Sequence, residues 1–108
     1  TDTSIGSNSD SRLKDNIQDY TYDISKFKSF KPRTFTWKNP EFHNAKFDES
    51  NNQIPTRGFV AQELKEAFEP AVSEMKDGLL SVSRDRLVPV LVKAIQELSA
   101  KIDELENR

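Results

Sequence analysis

Leu87 to Arg108 reads LVPVLVKAIQELSAKIDELENR, and this stretch decides the fold class. Val88, Leu91, Ile95, Leu98, Ile102 and Leu105 recur at spacings of 3, 4, 3, 4 and 3, an unbroken a/d heptad repeat with β-branched residues at a and Leu at d. The pattern predicts a C-terminal helix, residues 87–108, that zips against copies of itself. Lys101 falls at g and Glu106 at the following e, a pair that meets between parallel neighbours. The competing reading is a monomeric helix packed on its own body. Pro89 places the helix start near Leu87 or an early kink there. In isolated parallel coils this a/d chemistry leans toward two strands.

Working back from the zipper, residues 9–86 predict a small α+β body. Ile24, Phe27 and Phe30 follow Asp23 as a possible N-cap and stop at Lys31-Pro32, which fits a short helix. Phe35 and Trp37 alternate with Thr34, Thr36 and Lys38 as a half-buried strand does. Gly58-Phe59-Val60-Ala61 reads as its partner strand, and Gln62 to Phe68 as a helix ending before Pro70. Between them Glu41 to Arg57 is a long polar excursion in which Phe42 and Phe47 are the large anchors, a place for length variation or disorder. Ala71-Val72 and Leu79 to Ser83 flank a Lys76-Asp77-Gly78 turn as two short edge strands. Thr1 to Ser11 shows no periodic pattern and reads as a connector or the end of something upstream.

Composition narrows function by exclusion. The chain has 108 residues, 34% apolar and 31% charged, so one thin-cored domain is expected, with neighbouring subunits helping to cover it. Mean hydropathy is -0.75, no long apolar run occurs, and no signal-peptide pattern opens the chain, so neither a membrane partner nor a secretion signal is expected. Sixteen Lys and Arg against eighteen Asp and Glu give a net charge of -2, which argues against nucleic acid. With no Cys and a single His, metal sites and cofactor chemistry are not expected. The small basic cluster Lys26, Lys28, Lys31 and Arg33 reads as a solvated face, His43 as an ordinary loop residue, and Phe35, Trp37, Phe59 and Phe68 as core.

One constellation carries chemistry. Ser9 and Lys14 offer a hydroxyl and an amine five residues apart, the makings of a Ser nucleophile with a Lys base. On a regular helix five residues turn through about 500°, which puts the two on different faces, so a working pair needs a bend between them. As a bare pattern the pair is a weak signal, and a solvated capping segment is the better reading of it.

Four blocks together resemble one family. Ser9-Asp10-Ser11-Arg12-Leu13-Lys14-Asp15-Asn16-Ile17, Phe35-Thr36-Trp37-Lys38, Gly58-Phe59-Val60-Ala61-Gln62-Glu63-Leu64, and Leu87-Val88-Pro89 with Lys93-Ala94-Ile95-Gln96-Glu97-Leu98 stand in the order and spacing of the C-terminal intramolecular chaperone domain of bacteriophage tail spikes, tail fibres and neck appendages, the endosialidase type. Ser83 departs from that pattern, where an aromatic residue is common. The resemblance implies a homotrimer that assists assembly of an upstream fibre or spike domain of the same chain, followed by single-turnover self-cleavage. Carried over by residue, Ser9 is the nucleophile, Lys14 the base, Asn8-Ser9 the scissile bond, and Asp10 and Arg12 a supporting turn. Residues 1–8 are then the end of the fibre, 9–86 the chaperone body and 87–108 the coiled coil, acting in the bacterial host cytoplasm during virion assembly. Two alternatives remain: a non-cleaving trimerisation module at a fibre tip, and the self-cleaving trimerisation domain of a membrane-tethered transcription factor.

Overall fold

The computed structural model describes residues 8–108. It is an α+β chain of two small antiparallel hairpins, a short helix and a long C-terminal helix whose first turns pack on the Glu69–Ala71 turn. After a 3₁₀ turn at Ser11–Leu13, a second 3₁₀ helix spans Ile24–Ser29. Asp23 caps it: its Oδ1 accepts from the Ser25 hydroxyl at 2.7 Å and from the Ser25 N–H at 3.0 Å, and the hydroxyl, seconded by the N–H, holds the carboxyl below its ordinary value.

Strand β1 (Arg33–Phe35) pairs with β2 (Thr56–Gly58), Arg33 opposite Gly58 and Phe35 opposite Thr56. The partner strand expected at Gly58 to Ala61 therefore lies earlier in the chain. Gly58 is its last residue, Phe59 turns toward the core, and Ala61 already begins helix α1 (Ala61–Ala67). An apolar run suits a buried crossover as well as a strand, and here the crossover wins. A Cβ on Gly58 would lie 3.4 Å from the Phe35 ring, at the near edge of ordinary van der Waals contact.

The polar excursion is ordered by contacts that its aromatic content did not announce. Gln53 brackets the Trp37 backbone, accepting from its N–H at 2.7 Å and donating to its carbonyl at 3.0 Å. The His43 ring stacks on Trp37 with centroids 3.8 Å apart, so His43 is no free loop residue. Phe42 and Phe47, expected as anchors, are exposed instead. Asn44 and Asn51 take the left-handed conformation at the excursion's turns, which Asn tolerates better than most residues.

Past a 3₁₀ turn at Glu69–Ala71, β3 (Val72–Glu74) and β4 (Leu80–Val82) form the second hairpin, closed by Gly78 at φ +86°. Helix α2 then runs from Arg84 to Glu106. Its N-cap is Ser83, whose hydroxyl accepts from the Arg86 N–H at 3.3 Å, so the residue that departs from the family pattern caps the helix. The helix continues through Pro89 and starts before Leu87.

The core holds Leu64, Ala71, Leu87 and Val90, walled by Tyr22, Phe27, Phe30, Phe59 and Phe68. Of the four aromatic residues expected inside, Phe35 and Trp37 are half-buried and pack edge to face on each other. Leu64 and Val90 are fully enclosed, which contributes on the order of 2 kcal/mol apiece.

Helix α2 carries two apolar stripes. Leu87, Val90 and Ala94 are buried against the body, while Val88, Leu91, Ile95, Leu98, Ile102 and Leu105 stay exposed, from 39% at Leu91 to 66% at Ile95. The expected seam is thus open in the single chain, and the helix is packed on its own body at the same time. Among the described residues no helix is long and apolar enough to cross a membrane.

Candidate functional site

The bend required between Ser9 and Lys14 exists, and Asp10 makes it. Asp10 is extended, at φ -66° and ψ 135°, and its Oδ1 accepts from the Arg12 N–H at 2.9 Å, which starts a single 3₁₀ turn. The Leu13 N–H donates to the Asp10 carbonyl at 3.0 Å and the Lys14 N–H to the Ser11 carbonyl at 3.1 Å. Lys14 then leaves the turn extended, and its side chain folds back over it. Lys14 Nζ donates to Ser9 Oγ at 2.7 Å. The same separation serves the reverse direction, with the hydroxyl donating to a neutral amine.

Both carboxylate oxygens of Asp10 are committed to Arg12. Oδ1 accepts from Nε at 3.1 Å and Oδ2 from Nη2 at 2.8 Å. The Arg12 side chain, seconded by its backbone N–H, holds the Asp10 carboxyl below its ordinary value, and Asp10 raises the Arg12 guanidinium in return. Asp10 is therefore occupied as a brace for the turn. The pair is solvent-exposed, so its worth lies in orientation more than in stability.

The surroundings of this pair are water. Every residue from Asn8 to Thr21 is exposed, including Leu13 and Ile17. The segment is anchored only where Tyr22 enters the aromatic wall, edge-on to Phe27 at 5.1 Å and to Phe68 at 5.8 Å. Burial pushes the Tyr22 phenol up, and its hydroxyl has no hydrogen-bond partner among the described residues.

Other clusters hold no comparable chemistry. Arg33 of the basic cluster pairs with Glu63, Nη2 to Oε2 at 2.7 Å, and that hydrogen bond lowers the Glu63 carboxyl. Among the described residues no three His, Cys, Asp or Glu side chains converge as metal ligands would. A concavity of about 710 Å³ lies between Trp37, Phe59 and the β3–β4 hairpin. It is lined chiefly by apolar side chains, a signal spread over three separate segments and invisible to any local pattern.

A family model described as the chaperone of endosialidase, classed by name among the peptidases, matches residues 9–73, more than half of the chain. The match opens on Ser9 and closes within β3, so α2 lies beyond it. No curated protein matches the chain.

Proposed function

The chain belongs to the chaperone-of-endosialidase family, intramolecular chaperones of phage tail proteins, and from that premise we propose that it trimerises, assists an upstream fibre or spike, and then cuts itself off between Asn8 and Ser9. The observation that carries this reading is the 2.7 Å contact between Ser9 Oγ and Lys14 Nζ across the turn braced by Asp10 and Arg12.

The chemistry balances within one chain. Ser9 Oγ attacks the carbonyl carbon of Asn8 through a five-membered ring while Lys14, as the free amine, takes the hydroxyl proton. The C–N bond then breaks, and the departing Ser9 nitrogen receives the proton from Lys14. An ester joins the Asn8 acyl group to Ser9 Oγ. Water hydrolyses it, leaving a carboxylate on Asn8 and a free α-amine and hydroxyl on Ser9. Proximity replaces substrate binding, since well-oriented intramolecular pairs reach effective molarities of roughly 10⁵–10⁸ M. Turnover is single.

Water opposes this reaction, because an ammonium has no lone pair with which to take a proton, and a wet amine prefers that form. Assembly supplies the cover. The open stripe on α2 supports association, and so does total exposure: the chain presents 9606 Å² of accessible surface, whereas a compact monomer of this mass presents about 6100 Å². Joining through parallel helices also makes the next chain-to-chain contact effectively intramolecular, which speeds the slow pairing of long β-rich fibres. The setting we propose is the host cytoplasm during virion assembly.

Intact mass and sedimentation of the wild-type chain beside Ser9→Ala test this. The expected result is loss of residues 1–8 from wild-type trimers and an uncut trimer for Ser9→Ala. A wild-type trimer that keeps its full mass would favour the plain trimerisation module.

A further inference from the structure

We infer that the arm carrying the Ser9–Lys14 pair docks in the apolar groove of a second copy, seating Leu13 and Ile17 between Trp37 and the β3–β4 hairpin, and that the site is incomplete without this neighbour. The inference rests on the self-cleaving reading above and says which surface provides the cover.

The arm has the form of a detached ligand. Leu13 and Ile17 are 67% and 71% exposed, and no strand or helix holds the chain between the Ser11–Leu13 turn and Tyr22. From Lys14 to its anchor at Tyr22 an extended chain reaches on the order of 26 Å, enough to cross to a neighbouring subunit. The groove is the matching receptor. Its rim residues Val60, Met75 and Leu79 are exposed, and its wall is formed by Trp37, Phe59 and Val82. Because Leu13 and Ile17 are exposed, they do not fill the groove of their own chain.

A second copy is the occupant that the rest of the molecule already recruits. The open a/d stripe on α2 delivers identical chains side by side, each with one arm and one groove. An arm placed in the next chain's groove is a heterologous contact, the kind that closes into a ring when the rotation permits. Reciprocal exchange between two chains and a closed ring of three both satisfy every arm and every groove, and the ring is the form that fits the proposed trimer. The same docking removes water from the turn, since Leu13 directly precedes Lys14.

The chain has no cysteine, so a Leu13→Cys, Leu79→Cys double variant on the Ser9→Ala background reports the contact directly. Oxidation with copper phenanthroline, followed by denaturing electrophoresis and mass measurement, is expected to give covalent species up to three chains, with neither single variant passing two. A link confined to one chain, or no link in a sample that sediments as a trimer, overturns the docking and leaves the self-cleaving trimer standing. The interchain link in a protein whose wild type never sheds residues 1–8 supports the docking and faults the Ser–Lys chemistry. As a second measurement, Ile17→Asp alters an exposed residue and is expected to slow release of residues 1–8 at least tenfold within intact trimers. An unchanged rate overturns the inference.

Discussion

Replacing Ile95 by Ala separates the two stripes of α2. Ile95 is 66% exposed in the single chain and makes no contribution to the buried core, so the substitution leaves the body intact. Full burial of such a side chain is worth about 1.5–3 kcal/mol, so closing the remaining two thirds in a coil is worth about 1–2 kcal/mol per chain. Ala keeps only a small part of that. Summed over three chains the loss is about 3–5 kcal/mol, or roughly two to three and a half orders of magnitude in the association constant. A sedimentation series over protein concentration reads this as a shift of the assembly midpoint, and cleavage measured on the same samples should fall along with the trimer. Val90→Ala is the counterpart on the buried stripe. It opens a cavity under the body and should lower unfolding stability by about 2 kcal/mol without acting on the seam directly. The reasoning fails if Ile95→Ala assembles at the wild-type midpoint, or if its monomers cut themselves at the wild-type rate.

Lys14→Ala should stop cleavage and leave trimers in place, seen as full-length mass in a sedimenting trimer; a normal rate would remove Lys14 from the role of base. Asp10→Ala removes the cap and both contacts to Arg12, so cleavage should slow at least tenfold while the thermal midpoint stays put, because the turn is exposed and apart from the core. Ser83→Ala should cost about 1 kcal/mol in chemical denaturation through loss of the α2 cap. For Glu63 the folded carboxyl sits below its ordinary value because of Arg33, so the pair stabilises the fold above the unfolded value and its help disappears as pH falls through the folded one. The thermal difference between wild type and Glu63→Gln should accordingly shrink on acidification below the ordinary Glu range.

What was readable in the chain followed from strong periodicity and from local caps. The α2 helix, the Asp23-capped turn and the β3–β4 hairpin are each dictated by residues within one or two turns of one another, and all three are found. The inner stripe of α2 was equally present in the spacing of Leu87, Val90 and Ala94, but the longer heptad pattern masked it. The strand expected at Gly58 to Ala61 lies two or three residues earlier, because Phe59 and Val60 look alike to a strand and to a crossover leading into α1. His43 and Gln53 were missed for a different reason. Their partner, Trp37, is six residues away in one case and sixteen in the other, and a polar residue that stacks or brackets a backbone carries no sequence rhythm. At the candidate site the need for a bend was legible, and the device that makes it, an aspartate capping one 3₁₀ turn, is written in the Ser9-Asp10-Ser11-Arg12 string itself.

The doubled stripe on α2 ties two melting events into one. Leu87, Val90 and Ala94 lie one helical step from Val88, Leu91 and Ile95, so heat that loosens the body also loosens the grip between chains, and parting the chains withdraws support from the body. In the proposed assembly, calorimetry would then record a single transition whose temperature climbs with protein concentration, and dilution alone would act as a mild denaturant.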